Sequence, residues 1–170
     1  MNKEKDLIDL LINANIKFTK FDHPPLFTVD ESKLLRKNTE GAHTKNLFLK
    51  NKKNHFFLLS CKDDTLIDLK KLKRNSIFGN ISFAKENYMK EILDLTPGSV
   101  TPFGLLNDQE NIVDFYLDYK LLKFDIVNFH PLINTSTIGL KISDFLSFMK
   151  IQKKVVKFFN FDNYEISHGK

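Results

Sequence analysis

The chain lacks the features that mark several large protein classes. Its single cysteine, Cys61, admits no internal disulfide, which excludes a bridge-stapled scaffold and agrees with a reducing compartment. No apolar run approaches the ~18 residues that a membrane-spanning helix needs. The opening residues Met1-Asn2-Lys3-Glu4-Lys5-Asp6 lead into a segment interrupted by Asp9 rather than into the apolar core of a secretory signal. A soluble, cytoplasmic chain with no membrane partner is the expectation.

The short motifs of common enzyme classes are also missing. There is no G-x-x-x-x-G-K-[ST] or G-x-G-x-x-G phosphate loop, no H-E-x-x-H and no C-x-x-C. The absence of a G-x-S-x-G elbow disfavours a serine hydrolase of the α/β type. The five histidines, His23, His43, His55, His130 and His168, stand far apart, with no pair at a spacing that shares one helix face. No metal site and no cofactor are therefore expected. Internal repeats, linkers and low-complexity tracts are absent, so the 170 residues read as a single domain, 1–170.

What is present is an alternation of short periodic segments. Leu7, Leu10, Leu11 and Ala14 recur at helical spacing, predicting an amphipathic helix over residues ~3–15. A short strand over 16–21 is stopped by His23-Pro24-Pro25, and Thr28 with Glu31 resembles the capping box of a brief helix through Leu35. Residues 46–50 and 55–60 read as a hairpin across Asn51-Lys52-Lys53-Asn54. Helices are predicted near 66–74, over 86–93 and from Ser143-Asp144 onward. Strands are predicted at 81–83, 112–117, 124–129, 137–140 and 155–159, and the segment 98–106 reads as a connection. The pattern predicts an α+β domain, a mainly antiparallel mixed β-sheet, barrel-like, surrounded by helices.

The net charge of +5 suits a polyanionic partner, because lysines that neutralise phosphates gain affinity from released counterions. By itself it equally describes a solvated lysine surface. Three segments carry more specific chemistry. Gly41-Ala42-His43-Thr44-Lys45-Asn46 sets a cation and an amide at the start of a strand, where an ammonium can hold a phosphate or developing negative charge. Gly98-Ser99-Val100-Thr101-Pro102-Phe103-Gly104-Leu105 is a loop whose amides can point at a ligand. Phe129-His130-Pro131-Leu132-Ile133-Asn134-Thr135-Ser136-Thr137 ends a strand with a histidine suited to proton transfer or hydrogen bonding. Taken alone, each segment more often has a structural role: a strand-edge lysine, a plain loop, a satisfied turn histidine. Cys61 has nothing near it in sequence to lower its pKa and reads as a buried inert thiol.

In this order and spacing, the three segments resemble the YbaK-like family related to the editing insertion of bacterial prolyl-tRNA synthetase. The residues that carry the likeness are His43-Thr44-Lys45-Asn46-Leu47-Phe48-Leu49, Gly98 through Leu105, and Phe129-His130-Pro131 with Asn134 and Thr137. Phe21-Asp22-His23-Pro24-Pro25, followed by Phe27-Thr28, fits as well. The likeness extends over essentially the whole chain and is nearest to freestanding alanyl-tRNA(Pro) deacylases.

The resemblance implies a carboxylic ester hydrolase that edits in trans, releasing alanine from the 3′ acceptor end of mischarged proline tRNA, with prolyl-tRNA synthetase as a further partner. It implies catalytic roles for Lys45, Gly98 and His130, and substrate contacts from Asn46, Ser99, Val100, Thr101, Pro102, Phe103, Phe129 and Asn134. The loop spelling Ser99-Val100-Thr101-Pro102 departs from the cysteinyl branch of the family, which favours alanine. A cysteinyl-tRNA(Pro) deacylase and a noncatalytic module sensing aminoacyl-tRNA or an amino acid are the alternatives. The enzyme is favoured over the module because Lys45, the Gly98 loop and His130 occur together.

Overall fold

The computed structural model describes residues 3–25 and 39–167. The helix read at Thr28–Leu35 falls outside these residues. The described chain runs α1 (Lys3–Asn13), β1 (Phe18–Asp22), β2 (Ala42–Asn51), β3 (Phe56–Lys62), α2 (Leu69–Arg74), β4 (Ile81–Phe83) and α3 (Glu86–Leu93). A 3-10 turn (Pro102–Leu106), β5 (Val113–Asp118) and a second 3-10 turn (Tyr119–Lys123) follow. The chain then forms β6 (Ile126–Phe129), β7 (Ser136–Lys141), α4 (Ile142–Ile151), β8 (Val156–Asn160) and β9 (Glu165–Ser167).

Local chemistry explains most boundaries. Asn15 adopts φ 55 and the Ile16 amide returns to Leu11 O at 2.9 Å, a left-handed close to α1 that asparagine tolerates. In the β2–β3 turn, Asn51 Oδ1 accepts from the amides of Lys53 (2.9 Å) and His55 (3.0 Å), with Asn54 at φ 62. Asp68 caps α2 by accepting from the Lys70 and Lys71 amides.

The strands form one mixed sheet in the order β1-β7-β6-β2-β3-β5-β8-β9, with β4 also on β2. Pairings are antiparallel at β1–β7, β2–β3, β2–β4, β6–β7 and β8–β9, and parallel at β2–β6, β3–β5 and β5–β8. The fold is thus the α+β arrangement around a mixed sheet that the sequence predicts. Two segments read differently. Residues 102–106, taken as part of a connection, form a buried 3-10 turn, because Pro102, Phe103, Gly104 and Leu105 are all inside. Glu165–Ser167 adds a short edge strand that no pattern announced.

Strand β2 exchanges partners along its length. It pairs with β6 only at Ala42 and His43, with β3 from Thr44 to Lys50, and with β4 from Leu49 to Asn51 on the side away from β3. Between β6 and β4, no strand among the described residues lies beside the edge of β2 over residues 44–47. The two faces of the sheet bury separate clusters. One gathers Ala42, Phe48, Val127, Phe129, Ile138 and Leu140 under α1, α4 and the first 3-10 turn. The other gathers Leu49, Phe57, Leu59, Cys61, Leu72 and Phe78 under α2.

Phe103 anchors the 3-10 turn in the first cluster, with ring centroids 5.9 Å from Phe129, 5.9 Å from Phe145 and 6.0 Å from Phe148. Phe129 stacks on Phe145 at 4.7 Å. Such contacts add to area burial by roughly 0.5–1.5 kcal/mol per pair. Phe145→Ala is expected to lower the unfolding free energy by about 3–5 kcal/mol, read as a fall in the urea midpoint with little change in slope.

Candidate active site

The three segments singled out in the sequence meet where β2 leaves β6. Asn46 Nδ2 donates to Val100 O at 3.0 Å, joining the first segment to the second. The rings of Phe103 and Phe129 join the second to the third. Thr44 Oγ1 donates to Asn128 O at 2.7 Å, joining the third to the first.

Strand alternation assigns the side chains to faces. Ala42 and Val127, register partners, point into the first core cluster, so His43 and Asn128 point to the other face. Two residues further along each strand, Lys45 and His130 share that outer face. Thr137 lies there too, since its neighbour Ile138 is buried opposite Phe129. Asn46 leaves β2 toward the opposite face, where Ser60 Oγ donates to its Oδ1 at 2.5 Å. The Gly98 loop therefore reaches β2 from the Asn46 side, and Lys45 and His130 approach the open edge from the other.

The loop is held by its own hydroxyl. The Ser99 side chain donates to Thr96 O at 2.8 Å and accepts from the Thr96 amide at 3.1 Å, leaving Ser99 buried. Gly98, exposed at the apex with φ 85, uses glycine's freedom to turn the chain. Thr101 is fully buried, yet its Oγ1 has no hydrogen-bond partner among the described residues. Buried polar groups are nearly always paired, so this hydroxyl marks the loop as a place with unmet hydrogen-bonding capacity. Pro102 opens the 3-10 turn behind it.

Two of the expected substrate contacts lie in the core. Phe103 and Phe129 are 0% and 2% exposed, so their rings offer no surface to a ligand. They are core residues that fix the loop and the end of β6. Asn134 is half-buried in the connection between β6 and β7.

His130 Nδ1 lies 2.9 Å from Ser136 O. A carbonyl only accepts, so Nδ1 carries the proton, and neutral His130 has Nε2 free as an acceptor. Burial holds its pKa below the usual value, against the opposing Ser136 hydrogen bond. His23 stands beside it, ring centroids 6.0 Å apart. His23 Nδ1 donates to Pro24 O at 2.9 Å, and its Nε2 meets Thr137 Oγ1 at 2.9 Å. Sequence reasoning counted His23 and Thr137 among the residues that carry the family likeness and gave neither a role; the fold brings them together beside His130.

Lys45 Nζ donates to Thr65 O, and Thr65 Oγ1 reaches Asp118 Oδ2 at 3.4 Å. Cys61, opposite Lys45 in the register, is fully buried. Burial pushes its thiol up to about 12, the Lys45 charge only partly opposing. Burial likewise raises the pKa of the fully buried Asp118, against hydrogen bonding from the Lys120 amide. Neither Thr65 nor Asp118 was foreseen, because nothing in the sequence brings the end of β5 to Lys45. Among the described residues, no cluster of histidine, cysteine and acidic side chains is placed to hold a metal ion, and no helix is long and apolar enough to cross a membrane.

Residues 23–148 match the model of the aminoacyl-tRNA editing domain. The chain belongs to this family. It is 34% identical over 160 residues to the prolyl-tRNA synthetase associated domain-containing protein 1 of Danio rerio, covering 93% of this chain and 87% of that one. It is 31% identical over 159 residues to the prolyl-tRNA editing protein ProX of Acetoanaerobium sticklandii, covering 92% and 96%. A solved structure described as a candidate trans-editing enzyme for prolyl tRNA synthetase superposes over 99% of both chains with a TM-score of 0.67 at 17% identity, a likeness of fold.

The environment of the editing domain's buried groups has measurable consequences. With the folded pKa of His130 lowered, the unfolded chain binds more protons below about pH 6.5. The stability held by neutral His130 is complete above that value and is lost as pH falls below it. His130→Asn should flatten this acid-side fall in Tm, and NMR should show the wild-type ring titrating below about 6.5. Cys61 should react with iodoacetamide about a thousandfold more slowly in the native protein than in denaturant at about pH 8, following the loss of thiolate.

Proposed function

We propose that this editing domain hydrolyses alanine from mischarged proline tRNA in trans, releasing alanine and free tRNA. The reading is carried by one observation: Lys45 and His130 share a face at the open edge of β2, and the Gly98 loop is tied to that edge through Asn46. The family membership and the prolyl-tRNA editing name of the ProX relative support it.

An aminoacyl ester is already activated, so its hydrolysis needs positioning and charge stabilisation more than a protein nucleophile. Cys61, buried with its thiol pKa at about 12, is unsuited to be one. Water adds to the ester carbonyl carbon, the bond from that carbon to the ribose oxygen breaks, and the ribose oxygen takes up the proton that water loses. Amides of residues 98–102 orient the ester, with Ser99, Val100, Thr101 and Pro102 setting the loop's shape. Lys45 binds the backbone phosphate or the charge developing near the terminal adenosine. His130 Nε2 accepts a hydrogen bond from the substrate ammonium or the attacking water, and Asn134 lines the approach.

Selectivity is steric. A cleft that fits alanine rejects the proline ring by overpacking, sparing the cognate tRNA. Discrimination between amino acids that differ by one small group is limited to ~1–3 kcal/mol, so serine is the hardest competitor to exclude. Prolyl-tRNA synthetase generates the substrate and is the partner beside which the domain works. The net charge of +5 suits the tRNA backbone.

Purified protein incubated with Ala-, Cys-, Ser- and Pro-charged proline tRNA should release alanine fastest and leave proline attached. Fastest loss of cysteine would reassign the substrate, and tight binding without turnover would make the domain a sensor. Lys45→Ala should cut deacylation at least about a hundredfold, the scale of removing one charge-stabilising group, while the thermal melt stays near wild type. A collapsed melt would make the lysine structural.

A further inference from the structure

Helix α1 carries a carboxylate where its periodicity calls for an apolar side chain. Leu7 and Leu11, 1% and 0% exposed, face the first core cluster, and helical spacing puts Glu4 on the same stripe, one turn before Leu7. The other acid of the first turn, Asp6, is exposed. Glu4 instead is turned toward the sheet, its side chain 17% exposed, with Lys20 Nζ at 3.2 Å. A carboxylate in an apolar stripe loses hydration, which its partners must offset. An ion pair with Lys20 alone could form from an exposed position, so the inward placement has another use.

That use is the reach to Ser136. Ser136 opens β7 and is fully buried, and its Oγ donates to Glu4 Oε1 at 2.5 Å. A buried hydroxyl must find an acceptor, and a carboxylate gives it a charge-assisted bond, stronger than a neutral one. Its side chain points to the inner face, as do Ile138 and Leu140 further along β7. Its backbone serves the other side: Ser136 O takes the Nδ1 proton of His130 at 2.9 Å. The residues on either side are gripped by His23. Thr135 O accepts from the His23 amide at 2.9 Å, and Thr137 Oγ1 meets His23 Nε2 at 2.9 Å. The start of β7 is thus held at three consecutive residues, and only the middle hold comes from the inner face.

We propose that Glu4 is a positioning residue for the deacylation. By fixing Ser136 it keeps that carbonyl aimed at His130 Nδ1, and so keeps Nε2 the bare nitrogen that accepts a hydrogen bond in the site. The tautomer of an imidazole follows the partner of its other nitrogen. If Ser136 O turns away, the proton can sit on Nε2, which then presents a donor where the substrate ammonium or the attacking water needs an acceptor. Glu4 touches neither His130 nor substrate and acts across the sheet. The assignment rests on the hydrolase reading above, and it extends the working site to α1, which lies ahead of the matched residues 23–148.

The test reads the tautomer directly, by nitrogen NMR of histidine-labelled full chain at about pH 8, where the ring is neutral. The His130 signals are assigned by their loss in His130→Asn. Wild type should carry the proton on Nδ1. Glu4→Ala should move the ring toward the Nε2–H form and lower kcat for Ala-charged proline tRNA about tenfold, the scale of one hydrogen bond, with KM kept. Glu4→Gln keeps an oxygen for Ser136 and should restore the tautomer and most of the rate. Ser136→Ala should reproduce Glu4→Ala, with the double variant no worse than either single one, and it carries the test if Glu4→Ala unfolds. An unchanged tautomer in both alanine variants, a Glu4→Gln loss equal to that of Glu4→Ala, or an effect on KM alone overturns the assignment. A shifted tautomer in a protein whose wild type deacylates nothing would sink the hydrolase reading and keep the hold of Glu4 on His130. Full deacylation by Glu4→Ala with the Nδ1 proton in place would do the reverse.

Discussion

The exchange of partners along β2 is the constraint on which the rest of this molecule depends. A strand flanked on both sides has no free edge, and a strand free along its length invites aggregation. Strand β2 avoids both extremes, being paired with β6 for two residues, with β4 at its far end and with β3 for most of its length. The interval between β6 and β4 is short, and it is where Lys45 and Asn46 stand. Both sheet faces are accessible from that interval, which is how alternate residues on one strand serve one site from opposite sides.

Everything around the opening keeps it in shape. The Phe103, Phe129, Phe145 and Phe148 cluster holds the Gly98 loop and the end of β6 at a fixed spacing from below. The Asn46 amide, satisfied by Val100 O and Ser60 Oγ, holds the loop from the side. Above, His23 and Thr137 position the backbone next to His130. The two buried side-chain atoms left without partners among the described residues, Thr101 Oγ1 and Asn128 Oδ1, sit within this assembly.

Much of the fold was legible because its elements follow local rules. The apolar spacing of α3, the Asn51–Asn54 turn and the alternation of β7 each announce themselves within a few residues. Residues 102–106 were misread because a 3-10 turn of five residues is too short to show a period, and only burial of Phe103 gives it form. Strand β9 escaped for the same reason: three residues, two of them exposed, carry no pattern. At the site, the chemical types of Lys45, His130 and the Gly98 loop were recognisable. The roles of Phe103 and Phe129 were not, because an aromatic beside a functional residue looks the same in sequence whether it lines a cleft or supports it from the core.

The sequence by itself determined the helices and strands, the family, and the residue types available for chemistry, since these follow from short-range spacing and side-chain identity. Tertiary structure alone decided that Lys45 and His130 share a face and that Thr65 and Asp118 stand behind Lys45. Those facts depend on register between strands far apart in the chain, such as Phe18 opposite Leu140 and Ala42 opposite Val127. Register is set by the whole pattern of burial, since a slip of one residue would turn every side chain to the opposite face.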